Sequence, residues 1–147
     1  MRWFAAGAHF GKVPQTLLHW RDRPHRLTRT EDRYRVMAFH RAKAPFLAAF
    51  LRQKVFSTGR AVWVWGAGRK SRRYLQPLLA QGISIRGFID VKRRVVPGYP
   101  VRLPAELPSV SEAFLLSYVA NRGIGEEVAA FLEQKGFEAE RDYFLCA

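Results

Sequence analysis

From residue 61 onward the apolar positions alternate between short unbroken runs and positions three or four apart. Ala61-Val62-Trp63-Val64-Trp65 is a run of β-branched and aromatic residues stopped by Gly66, which predicts a buried strand. Residues 69–81 then place Tyr74, Leu75, Leu78 and Leu79 on one helical face, with Gly82 as the stop. Pro77 lies inside this helix and predicts a kink or a short first turn, because proline lacks an N–H and crowds the preceding turn. Residues 83–89 predict a second strand ending at Asp90, and residues 92–108, rich in proline and basic residues, a connection with little regular structure. A third strand is expected over 113–119. A helix follows over 126–135, with Val128, Ala129, Phe131 and Leu132 inward and Gly136 closing it. Tyr143-Phe144-Leu145 makes a terminal strand.

Strands alternating with helices imply a parallel sheet covered on both faces. Right-handed crossovers favour the strand order 2-1-3-4. The fold class is therefore α/β: a small Rossmann-like parallel sheet of about four strands, preceded by a mostly helical N-terminal segment. The switch point falls between the ends of strands 1 and 3, where open α/β sheets bind ligands.

The first 58 residues read differently. Gly7, Gly11, Pro14 and Pro24 punctuate residues 1–27, which are expected to be irregular. Thr28 and Glu31 have capping-box spacing, and Thr30 is a rival cap. Helical spacing follows at Tyr34, Met37, Ala38, Leu47, Phe50 and Leu51, and Pro45 divides it into expected pieces at 31–43 and 45–56. Ser57-Thr58-Gly59 marks the expected boundary between an N-terminal segment, 1–58, and a Rossmann-like domain, 59–147. All the predicted strands lie in the second part, so that part is expected to fold alone.

Charge sharpens this division. The net charge is +13; residues 1–60 carry 13 Lys/Arg against 3 Asp/Glu, and residues 61–147 carry 12 against 9. The surplus suits an anionic partner, and a solvated face is the plainer alternative. A hydrophobic share of 48% supports a packed core. The single cysteine, Cys146, excludes a disulfide framework within one chain and fits a cytoplasmic setting. No apolar stretch approaches the length of a membrane span.

The candidate chemistry lies at Trp65-Gly66-Ala67-Gly68-Arg69-Lys70-Ser71, between a strand and a helix. Gly66 allows a tight turn, and Gly68 lets a phosphate approach helix N–H groups. Ser71 stands where a third glycine is usual. Arg69, Lys70, Arg72 and Arg73 crowd the first turn, where cations oppose the helix dipole and a bound anion relieves them. Asp90 ends the second strand, where a carboxylate takes a ribose hydroxyl. The candidate ligand-binding set is thus Gly66, Gly68, Arg69, Lys70 and Asp90, for a nucleotide or nucleotide-sugar. The plainer alternative is a tight strand-to-helix turn and a loop-capping Asp90. Lys92, Arg93 and Arg94 are candidates for a ribose phosphate or a solvated loop. His9, His19, His25 and His40 lack ligand spacing with carboxylates or Cys146, and Ser71 and Ser117 have no evident base, so no metal or catalytic residue is assigned.

Two stretches resemble a known family. Val64-Trp65-Gly66-Ala67-Gly68, Ile85-Arg86-Gly87-Phe88-Ile89-Asp90, Gly98-Tyr99-Pro100-Val101 and Leu107-Pro108 resemble a Rossmann-like module. Such modules end some bacterial family-2 glycosyltransferases, and similar ones precede sugar-modifying acyltransferases. The run Leu17-Leu18-His19-Trp20-Arg21-Asp22-Arg23-Pro24, with Leu27-Thr28-Arg29 and Arg33-Tyr34, is similar to the last part of the same glycosyltransferases' catalytic domain. The resemblance places His19, Trp20 and Arg21 at the border of a complete enzyme's active site. The family's Asp-x-Asp motif, which holds the metal and donor diphosphate, is absent here, and Glu138-x-Glu140 reads as a solvated turn.

The expectation is a glycosyltransferase-derived protein or fragment with a nucleotide-type accessory domain, not catalytic alone, partnered by an upstream catalytic part. The alternatives are a stand-alone nucleotide-binding regulator and, ranked lower for want of any recognised motif, a basic nucleic-acid-binding protein. The basic and apolar residues of 33–56 also allow contact with a membrane surface.

Overall fold

The structure, a computed structural model, describes residues 6–9, 11, 13–18, 31, 34–121 and 123–147. The candidate caps Thr28 and Thr30 and the run His19-Trp20-Arg21 lie outside the described residues.

Helix α1 (Val36–Phe50) buries His40, Ala44, Leu47 and Ala48. It continues through a π-helical turn, Leu51–Val55, and a 3-10 turn, Phe56–Thr58, to Gly59 at φ +77°. The expected break at Pro45 does not occur, and one helix replaces the two predicted pieces. Proline removes only the bond to the Arg41 carbonyl, and Arg41 and Pro45 are both exposed, so the freed carbonyl lies toward solvent. The buried face around Ala44, Leu47 and Ala48 holds the helix together across that gap.

Strand β1 (Ala61–Trp65) leads through the glycine loop into helix α2 (Arg69–Leu79). Pro77 is likewise accommodated inside α2; the acceptor it leaves unpaired belongs to exposed Arg73. Strands β2 (Gly87–Ile89) and β3 (Val101–Arg102) follow, then a 3-10 turn at Pro104–Glu106, β4 (Ala113–Ser117), helix α3 (Ile124–Gln134) and β5 (Tyr143–Leu145). The sheet is parallel throughout, in the order β3-β2-β1-β4-β5. The expected 2-1-3-4 order corresponds to β2-β1-β4-β5. The addition is β3, inside the stretch expected to be irregular, where Phe88 N–H takes the Pro100 carbonyl at 2.9 Å and Asp90 N–H the Arg102 carbonyl at 3.0 Å. A two-residue edge strand needs no apolar run, so its sequence carries no strand signal.

Alternation along the strands separates two cores. Val62, Val64, Phe88, Phe114 and Leu116 face α1 and α2, meeting Leu47, Ala48, Leu51, Val55, Leu75 and Leu78. Trp63, Trp65, Ile89, Leu115 and Tyr143 face α3, meeting Val128, Leu132 and Phe137. Gly59 is therefore a turn in the chain across which the core continues: Leu51 and Val55 are as fully buried as Val62 and Val64. At the amino-terminal edge of the sheet, Arg60 pairs with Asp142 at 2.9 Å and donates to the Ala113 carbonyl at 2.7 Å. Among the described residues, no helix is long and apolar enough to cross a membrane.

Candidate functional site

The chain steps outward from β1 to β2 and β3, then returns to the other side of β1 for β4. β1 and β4 stay paired to their carboxyl ends, but the chain leaves them for helices on opposite faces of the sheet, and a crevice of about 720 Å³ opens where those connections part. Its volume is within the range of about 300–1,000 Å³ usual for small-molecule sites.

One wall is the glycine loop. Gly66 sits at φ +104°, and a Cβ there would fall 2.7 Å from Ser71 Oγ and 2.9 Å from Val119 Cγ2, so glycine is required. Its N–H donates to the Ile89 carbonyl at 2.8 Å, tying the loop to β2. Gly68 is different. It is the N-cap of α2 in an ordinary extended conformation, φ −67° and ψ 161°, and a Cβ there would enter open space. The turn therefore tolerates a side chain at Gly68, and only the crevice loses room. No side chain caps α2, so the N–H groups of its first turn keep their capacity to donate.

Arg69 and Lys70 are exposed at this helix start and line the crevice, and Lys92 and Arg94 face them from the loop after β2. No acidic residue occupies the first turn of α2. Arg72, in the same turn, has a buried Nε with no hydrogen-bond partner among the described residues. The positive end of the helix and its cations thus stand together, which is unfavourable until an anion arrives.

Asp90 borders the crevice but turns its carboxylate into the structure. Oδ2 accepts the Ala67 N–H at 2.8 Å and the Arg94 Nε at 3.2 Å, and Oδ1 accepts the Lys92 N–H at 2.9 Å. The residue fastens the middle of the glycine loop to the end of β2. Trp65, Val119, Ile124 and Phe131 form the apolar wall opposite the cations, and Phe131 meets Trp65 edge-on at 5.4 Å. Asn121 and Glu127 add polar groups. The expected set of Gly66, Gly68, Arg69, Lys70 and Asp90 is gathered at one crevice. The wall from α3 was not foreseen: Phe131 reads in sequence as an inward position of a helix over 126–135, where nothing tells crevice from core, and Ile124 lies before that expected start.

Glu138 and Glu140 lie on an exposed turn after α3, where Arg141 pairs with Glu138 at 2.8 Å. No family model, no curated protein and no solved structure matches the chain.

Proposed function

We propose that the chain is a nucleotide-binding module, without catalysis of its own, that serves a glycosyltransferase catalytic part. The observation that carries the binding reading is the uncapped start of α2, where Gly68 leaves open space beside Arg69 and Lys70. A diphosphate seated there accepts backbone N–H bonds and neutralises the clustered cations. The apolar wall of Trp65 and Phe131 suits the base or sugar. Asp90 contributes by holding the loop in place, since its oxygens already accept N–H groups. The link to glycosyl transfer comes from the resemblance of residues 17–34 and 64–108, and the cytoplasmic setting from the single cysteine.

A stand-alone regulator is the second reading. It rests on the crevice alone and does not need the resemblance. Titrating the protein with UDP, a UDP-sugar, ADP, NAD and NADP while following its melting temperature tests the binding claim. The expected result is a rise for at least one nucleotide, lost when Arg69 and Lys70 are both changed to Gln. No rise at millimolar ligand would leave the loop a structural turn only. Reading the DNA upstream of Met1 separates the two settings: a coding region for a catalytic part supports the first, and its absence the second.

A further inference from the structure

A second cavity, of about 580 Å³, lies between α1 and the C-terminal strand, away from the glycine loop. Its inner end is polar and buried. His40, Tyr118 and Cys146 all line it, at 5%, 3% and 7% exposure. The His40 ring stacks on Tyr74 at 4.4 Å and makes no hydrogen bond among the described residues. Its nitrogens are not sealed from the cavity, so they are open to a donor or acceptor placed there. Lys43 reaches across the same end and donates to the Cys146 carbonyl at 2.7 Å. Burial, with Lys43 second, lowers the His40 pKa to about 4, so the ring is neutral near pH 7 and keeps one N–H to donate. Burial also pushes the Cys146 thiol up to about 12, so it is no nucleophile at neutral pH.

The outer end is apolar. Phe46 and Leu145 are 43% and 49% exposed there, beside Phe50 and Phe144. Lys54 and Glu140 stand at the rim, so with Lys43 the described lining residues carry a surplus of one positive charge. We propose that this cavity binds a medium-chain carboxylate, its head at His40 and Lys43 and its chain along Phe46, Phe50 and Leu145. One such ligand satisfies three features at once: the unpartnered imidazole, the single net positive charge and the exposed apolar rim. A neutral lipid leaves the Lys43 charge unmatched, and a polyphosphate leaves the apolar rim in water.

Dodecanoate is the probe, added to the full chain below its micelle concentration, with dodecyltrimethylammonium as the cationic control. Calorimetry should give saturable binding of dodecanoate and much weaker binding of the cation. Lys43→Met should weaken dodecanoate about ten-fold, the loss of one charge-assisted contact. Ala49 is exposed and lines the cavity, so Ala49→Trp should fill it without unfolding the protein and abolish binding. The His40 ring proton resonances should move on binding, while Gly68→Val should leave it intact. Equal binding of the cation, full binding by a folded Ala49→Trp variant, or unmoved His40 resonances would each overturn the proposal.

Discussion

A methyl group on Gly66 would meet Ser71 Oγ at 2.7 Å on a backbone held at φ +104°. Gly66→Ala should therefore destabilise the fold by about 1–3 kcal/mol, read as a lowered urea midpoint. Both glycines stand out equally in the sequence, because the pattern records where glycine occurs and not which backbone angle it adopts. Asp90 was legible as a residue of interest for its position at a strand end. Its inward hydrogen bonds were not, since they depend on how closely the loop folds back over β2. Asp90→Ala should cost about 1–3 kcal/mol by leaving the Ala67 N–H buried and unpaired.

His40 sets the acid limb of stability. Its folded pKa of about 4 lies below the 6.5 of a free imidazole, with burial the main cause and Lys43 the second. Between these values the unfolded chain binds the proton and the folded chain does not, so stability is lost as pH falls from about 6.5 to 4. Lys43, Tyr74, Tyr118 and Cys146 surround the ring, and none supplies a carboxylate to hold the charged form. Urea titrations at stepped pH should show this slope, and His40→Phe should flatten it. On the alkaline side Cys146 moves from 9.0 to about 12, chiefly through burial, so stability should fall again above about pH 9.

Elements with a strong apolar signal were the readable ones. β1, the β4 core and β5 appear where their runs of apolar residues predict them. Helix ends and proline effects were less readable, because Pro45 and Pro77 release carbonyls on exposed faces while packing on the opposite face continues. The expectation that residues 59–147 fold alone depends on α1, and the packing bears against it. Leu51 is fully buried against the same face of the sheet as Val62 and Phe114. A chain reduced to 59–147 should expose that face, bind a hydrophobic dye and melt without cooperativity. Leu51→Ala in the full chain should cost about 2–5 kcal/mol. A cooperative melt for the short chain would restore the division at Gly59.

For the whole molecule, charge and fold bear on different questions. The surplus of Lys/Arg is concentrated before residue 61, yet the crevice recruits Arg69, Lys70, Lys92 and Arg94 from the less basic part. Overall charge therefore does not locate the crevice. The topology indicates the site, since the reversal of strand order was readable from alternating strands and helices. The sequence also lacks the Asp-x-Asp pair that steadies a departing diphosphate through a metal ion. The purified chain should release no UDP from a UDP-sugar in the presence of a divalent ion and a sugar acceptor. Sustained release would show that catalysis is housed here after all.

The most direct test is calorimetric titration of the full chain and of Gly68→Val with the same nucleotides. A side chain at Gly68 enters open space in the crevice and leaves the turn unstrained. The account predicts saturable heat for at least one nucleotide with the native chain, and none with Gly68→Val, at unchanged melting temperature. Undiminished binding by Gly68→Val, or no heat from either protein at millimolar ligand, would contradict it.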